Sequence, residues 1–208
     1  KATQTDKEDN TIILYAAHKD GQHAYIEKAK AKGYDVLLLE SPLVSHLMQK
    51  IEGENQKVRF ARVDSDLIDN LIKKDEDRVS KLTEDDKTKV KESIEANVPK
   101  EKFTVRLEDL DSSEAAFTIT VPEFMRRMRE MQATGGGGMM GMMGDMPEMY
   151  DLVVNSNHEL TSRILEEADA DKQKSLITQA TDLAKLQQNL LHGEELTNFI
   201  NRSYEMIG

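Results

Sequence analysis

Methionine is the residue with the least random placement in this chain of 208: nine of its eleven methionines fall between Met125 and Met149. A thioether side chain is unbranched and polarizable, so a methionine surface can adapt to many apolar partners. It is also a soft ligand, and Met139, Met142, Met146 and Met149 stand at M-x-x-M-like spacing that suits Cu(I). On a helical wheel Phe124, Met128 and Met131 share one face with Met125 at its edge, while Arg126, Arg129 and Glu130 lie away from it. Such a stripe is ordinarily core. Here the helix is short, four glycines (Gly135 to Gly138) leave its end untethered, and more methionines follow. Phe124, Met125, Met128 and Met131 are therefore the candidate contact surface for exposed apolar segments of other proteins. Copper binding and a membrane-surface helix are the rival readings, although about eleven residues is short for the latter.

The remaining chemistry-bearing residues do not form a reactive set. Of the five histidines, His158 precedes Glu159 as in a zincin motif, but Ser162 stands where the second histidine belongs. The loop His18-Lys19-Asp20-Gly21 has one glycine and lacks the glycine pattern that cradles phosphate. No G-x-S-x-G elbow is present, and the absence of cysteine removes thiol catalysis, thiolate metal sites and disulfides. The expectation is a non-enzymatic chain with no cofactor and no metal, suited to a reducing cytoplasm. Lys plus Arg number 28 against 39 Asp plus Glu, a net charge of −11, which argues against a nucleic-acid backbone binder. No apolar run approaches the roughly 18 residues needed to span a bilayer, so no stable membrane association is expected. The first residue is a lysine in a polar stretch, and the chain reads as a piece of something longer.

Positioning these residues requires two kinds of architecture. Residues 1–10 are polar and are expected to fray. Thr11–Ala16 and Tyr34–Leu39 are apolar runs flanking a helical stretch from Gln22 to Lys32 that Gly33 terminates, which predicts a βαβ unit with both strands buried. A helix follows Ser41-Pro42, and Val58–Val63 is a further strand candidate. Leu67, Leu71, Ile72, Val79, Leu82, Val90 and Ile94 recur at near-helical spacing through a charged stretch, with Thr83 to Asp86 as a cap. Phe103–Leu107 and Ala116–Thr120 alternate apolar and polar residues around Asp111-Ser112-Ser113, predicting a hairpin or paired strands. Two capping boxes, Thr120 to Glu123 and Ser156 to Glu159, open helices on either side of a short strand at 151–154. The predicted class is α+β, with a small αβα unit over residues 1–72 and a mixed domain over 73–208 that ends in a helical hairpin.

That hairpin is the second candidate surface. A helical pattern runs from Asp171 to His192, Gly193 breaks it, and a last helix follows. Leu183, Leu186, Leu190, Leu191, Leu196, Phe199, Ile200, Tyr204 and Ile207 offer more apolar surface than one hairpin buries on itself. Two copies closing a four-helix bundle would cover it, predicting a homodimer.

The segments Leu190-Leu-His-Gly-Glu-Glu-Leu196 and Phe199-Ile-Asn-Arg-Ser-Tyr-Glu-Met-Ile207 resemble the end of the 90-kDa heat-shock chaperone family, bacterial HtpG type. Tyr34–Leu39 is similar to the segment closing the family's middle domain, and Phe124, Met128 and Met131 fall where the family carries an amphipathic helix. The resemblance implies a stress-response chaperone that assists protein folding, with unfolded or partly folded clients and dimerisation at the C-terminal helices. It also implies a parent protein that binds ATP and Mg through a domain outside these 208 residues. The acidic tail of eukaryotic cytosolic members is not found before Gly208.

Overall fold

A computed structural model gives the fold of residues 4–41, 43–72, 78–127 and 148–207. The elements in chain order are β1 (Thr11–Ala16), α1 (His23–Ala31), β2 (Val36–Leu38), α2 (Val44–Glu54), β3 (Val58–Arg62), α3 (Ile68–Leu71), α4 (Glu84–Glu95), β4 (Phe103–Glu108) and β5 (Phe117–Thr120). Next comes α5, described over residues 123–127. The chain continues through β6 (Tyr150–Asn155), α6 (Glu159–Glu166), α7 (Ala170–Gln187) and α8 (Gly193–Ile207). They form two compact units, one of residues 1–76 and 120–149, the other of residues 77–119 and 150–208.

The first unit is a parallel three-stranded sheet in the order β2-β1-β3. β1 lies at its centre, and successive side chains of a strand point to opposite faces. Ile12, Leu14 and Ala16 pack with Tyr25, Ile26 and Ala29 of α1 and with Ile68 of α3. On the opposite face Tyr15 packs with Phe60 and with Met48 of α2, where Ile13 joins them. A strand covered on both faces has no use for polar alternation, which is why Thr11–Ala16 reads as a continuous apolar run. Gly33 (φ +80°) ends α1. The Gly33 amide donates to the Lys30 carbonyl and the Tyr34 amide to the Ala29 carbonyl, a pairing that only a left-handed residue permits without strain.

Two expectations for this unit are corrected. The second apolar run is only partly buried: Tyr34 lies in the core, but β2 is a three-residue edge strand, and Leu37 and Leu38 are exposed. Residues 4–10 are tied down. The Gln4 carbonyl accepts from the Ile12 amide at 2.7 Å, and its side-chain amide exchanges two hydrogen bonds with the Asp35 backbone.

The second unit holds a sheet in the order β4-β6-β5, with β4 and β6 parallel. The expected hairpin of β4 and β5 is therefore replaced by two strands flanking β6. β6 carries the most buried apolar residues of the three strands (Tyr150, Leu152, Val153 and Val154), and it takes the centre, where both edges are paired. Thr83 caps α4 as read, its hydroxyl accepting from the Asp86 amide. Val79, counted in the same periodicity, lies outside any helix and is exposed.

Helix boundaries differ in three places. Thr120 does not cap α5: it remains in β5, and its buried hydroxyl has no partner among the described residues. The α6 cap is His158, whose Nδ1 accepts from the Leu160 amide, because Asn155, Ser156 and Asn157 are used elsewhere. The Asn155 side chain donates to the Asp111 carbonyl, and the Asn157 side chain accepts from the Lys81 amide and donates to the carbonyls of Val79 and Leu110. The long helix stops before Gly193, at Gln187, because Asn189 takes the left-handed conformation (φ +54°). The Asn189 amide then donates to the Leu186 carbonyl and the Leu190 amide to the Lys185 carbonyl.

Candidate functional site

The start of α5 is held to the first unit by charge. Arg127 places a two-pronged guanidinium on Glu52 of α2 (Nη1 to Oε2 2.8 Å, Nη2 to Oε1 3.0 Å) and also donates to the Phe60 carbonyl of β3 at 3.1 Å. Its Nε donates to Glu123, one turn back, at 2.7 Å. Arg126 donates to the same carboxylate and stacks over Tyr15, with its guanidinium carbon 5.5 Å from the ring centroid. The pairing reverses the usual helix arrangement: Arg126 is 5 % exposed, whereas Phe124 is 70 % exposed and Met125 half-buried. Burial pushes the Glu52 carboxyl up, but the Arg127 fork and the Phe60 N–H outweigh it and hold its pKa below the ordinary value. Arg127 is in turn shifted upward, chiefly by its hydrogen bonds to Glu52.

Met128 and Met131 lie outside the described residues, as do Met139, Met142 and Met146 of the copper reading; Met149 is described and exposed. Among the described residues no three His, Asp or Glu side chains gather as metal ligands, and no helix is long and apolar enough to cross a membrane.

The α7–α8 hairpin repeats the inversion on a larger scale. Asp182 is 6 % exposed and binds Arg202 of α8 and Lys185, while its neighbour Leu183 is 52 % exposed. Lys185 also reaches Glu195 at 3.4 Å, and the Gln179 amide donates to the Ser203 hydroxyl at 2.9 Å. Leu186, Ile200, Tyr204 and Ile207 are exposed, Leu190 and Leu196 are half-buried, and Leu191 and Phe199 are buried within this chain.

The charged anchors are the residues that sequence reading missed. Glu123, Arg126 and Arg127 stand at i, i+3 and i+4, a spacing that signals ion pairs on a helix. Nothing local points to Glu52, 75 residues earlier in the chain. A third polar centre, Asp109, is structural: it accepts from Ser156 and from Lys87 at 3.0 Å, bonding β6 and α4 to the end of β4. Burial raises the Asp109 carboxyl, but Ser156 and Lys87 bring it below its ordinary value. Lys87 is raised, first by its bond to Asp109.

The HtpG chaperone of Bacteroides thetaiotaomicron is 33 % identical over 274 residues, covering all of this chain. The chain is a homologue of part of HtpG. The HtpG of Porphyromonas gingivalis is 36 % identical over 190 residues that cover 89 % of this chain, and that of Bacteroides fragilis is 33 % identical over the whole of it. The chain spans only 40 %, 27 % and 40 % of these three HtpG proteins, respectively. No family model matches. The resemblance read from the C-terminal residues to bacterial HtpG therefore extends across the chain.

Proposed function

We propose that this chain is the C-terminal dimerisation and client-contacting region of an ATP-dependent chaperone of HtpG type, which assists protein folding. Residues 1–72 correspond to the end of the middle domain and 73–208 to the dimerisation domain. Catalysis belongs to the parent's ATP- and Mg-binding part. This region has no activity or cofactor of its own, works in the cytoplasm as a homodimer, and binds unfolded or partly folded clients. The observation that carries the reading is the outward placement of apolar side chains on helices anchored by charge, at Phe124 and at Leu183, Ile200 and Tyr204. An apolar side chain left in water on a positioned helix is available to a partner.

Light scattering tests the dimer. The wild-type chain is expected at about twice 23.6 kDa, and deletion of residues 194–208 or a Leu183→Asp, Ile200→Asp double variant is expected to give a monomer. A monomeric wild type at tens of micromolar, above the affinity that an interface of this size reaches, sinks the dimer reading. Client contact is tested with Phe124→Ser and with Met128→Ser combined with Met131→Ser. Both should weaken binding to an unfolded polypeptide without changing thermal stability. A large fall in stability instead would assign those residues to the core.

A further inference from the structure

We propose that Glu52 is a positioning residue for the client-contact turn: it fixes the rotation of α5 that turns Phe124 outward. The inference rests on the client-contact reading and adds a residue to it from a distant part of the chain. At about 100° per residue, Glu123, Arg126 and Arg127 occupy one arc of the α5 turn and Phe124 and Met125 the opposite arc. The first arc meets the Glu52 carboxylate, the Phe60 carbonyl and the Tyr15 ring.

Phe124 is exposed and does not itself define the rotation. A planar guanidinium on a planar carboxylate is directional, and the fork fails if the turn rolls or slides. Glu52 is itself fixed, because its Oε1 also accepts from the Phe60 amide at 2.8 Å. The side chain is 15 % exposed and Arg127 is 25 % exposed, so salt screens the pair weakly. An apolar residue in place of Arg127 would let the turn bury Phe124 against the sheet face that Tyr15, Phe60 and Met48 already line. The ionic anchor thus keeps the apolar arc free.

The test uses Glu52→Gln in the full chain, which keeps the shape and the acceptor for Phe60 but removes the charge. Tryptic cleavage after Arg126 and Arg127 should become about tenfold faster, the effect of losing one charged hydrogen-bonded pair. Affinity for a carboxymethylated, permanently unfolded lactalbumin should fall about fivefold at a temperature where the variant is still folded by circular dichroism. Glu52→Asp, which restores the charge, should recover part of both. Faster cleavage with client affinity within about twofold of wild type overturns the inference. Should Glu52→Gln lower the melting temperature, Arg127→Lys decides. It keeps the cation but not the fork, so weakened client binding supports positioning and wild-type binding refutes it. Phe124→Ser is run in parallel: if it leaves client affinity unchanged, the client reading itself fails, whatever Glu52 does.

Discussion

The α5 turn and the α7–α8 hairpin both bury charge and expose apolar side chains, yet they are secured differently. At α5 the holding contacts are Arg126 and Arg127 on Glu52, Glu123, Tyr15 and the Phe60 carbonyl. In the hairpin Ile177, Ala180, Ala184, Leu191 and Phe199 are buried, and the Asp182–Arg202 and Asp182–Lys185 pairs are added. The described residues of α5, 123–127, are oriented by directional hydrogen bonds. Two helices of 18 and 15 residues need burial to hold them together.

The contrast is broken most directly at Phe199. Phe199→Ala should cost about 3–5 kcal/mol of stability in urea unfolding, because it removes a large buried side chain of the hairpin. A loss no larger than that of a surface substitution would show the hairpin to be held by charge as well. Next comes Asp182→Asn, which leaves Arg202 and Lys185 facing a neutral group; about 2–3 kcal/mol is expected, less than for a wholly buried pair because Arg202 is partly exposed.

A pH titration compares the two units. Glu52 in the first and Asp109 in the second both have folded pKa values below their ordinary 4.5 and 3.8. Each therefore contributes stability that is present above its ordinary value and lost as pH falls through the folded value. Acid unfolding followed by circular dichroism should lose its dependence on the first group in Glu52→Gln and on the second in Asp109→Asn. Lys87 has the opposite sign: raised above 10.5, it contributes below that pH and is lost as pH rises through its folded value.

At Asn189 (φ +54°), alanine should cost about 1 kcal/mol on account of the left-handed conformation, and glycine should cost less than alanine. Leu183→Ser, one residue from Asp182, should change the monomer's stability by no more than about 0.5 kcal/mol while weakening self-association on light scattering.

Much of the fold was legible because its determinants are local. Thr11–Ala16 declared a strand buried on both faces, Gly33 a left-handed stop, and Thr83 a cap, and each is observed. The hairpin reading of β4 and β5 failed because pairing order is a long-range choice: β6 lies in sequence more than 25 residues beyond β5, and takes the central place. The stop at Asn189 was masked by a nearby glycine, although asparagine is the other residue that tolerates positive φ. Edge exposure of Leu37 and Leu38 was invisible because an apolar run does not say how many strands will flank it.

The sequence by itself determined that α5 would have one apolar and one charged arc, that the last two helices would carry an apolar excess, and that the C-terminal residues resemble an HtpG chaperone. Only the tertiary structure decided which arc faces outward. Helical periodicity is symmetric in that respect, and the usual rule, apolar side in, gives the wrong answer at Phe124 and Leu183. The outcome depends on partners supplied from elsewhere. Glu52, Phe60 and Tyr15 meet the arginines of α5, and Arg202 meets Asp182, so the charged side takes the contacts while Phe124 and Leu183 stay exposed.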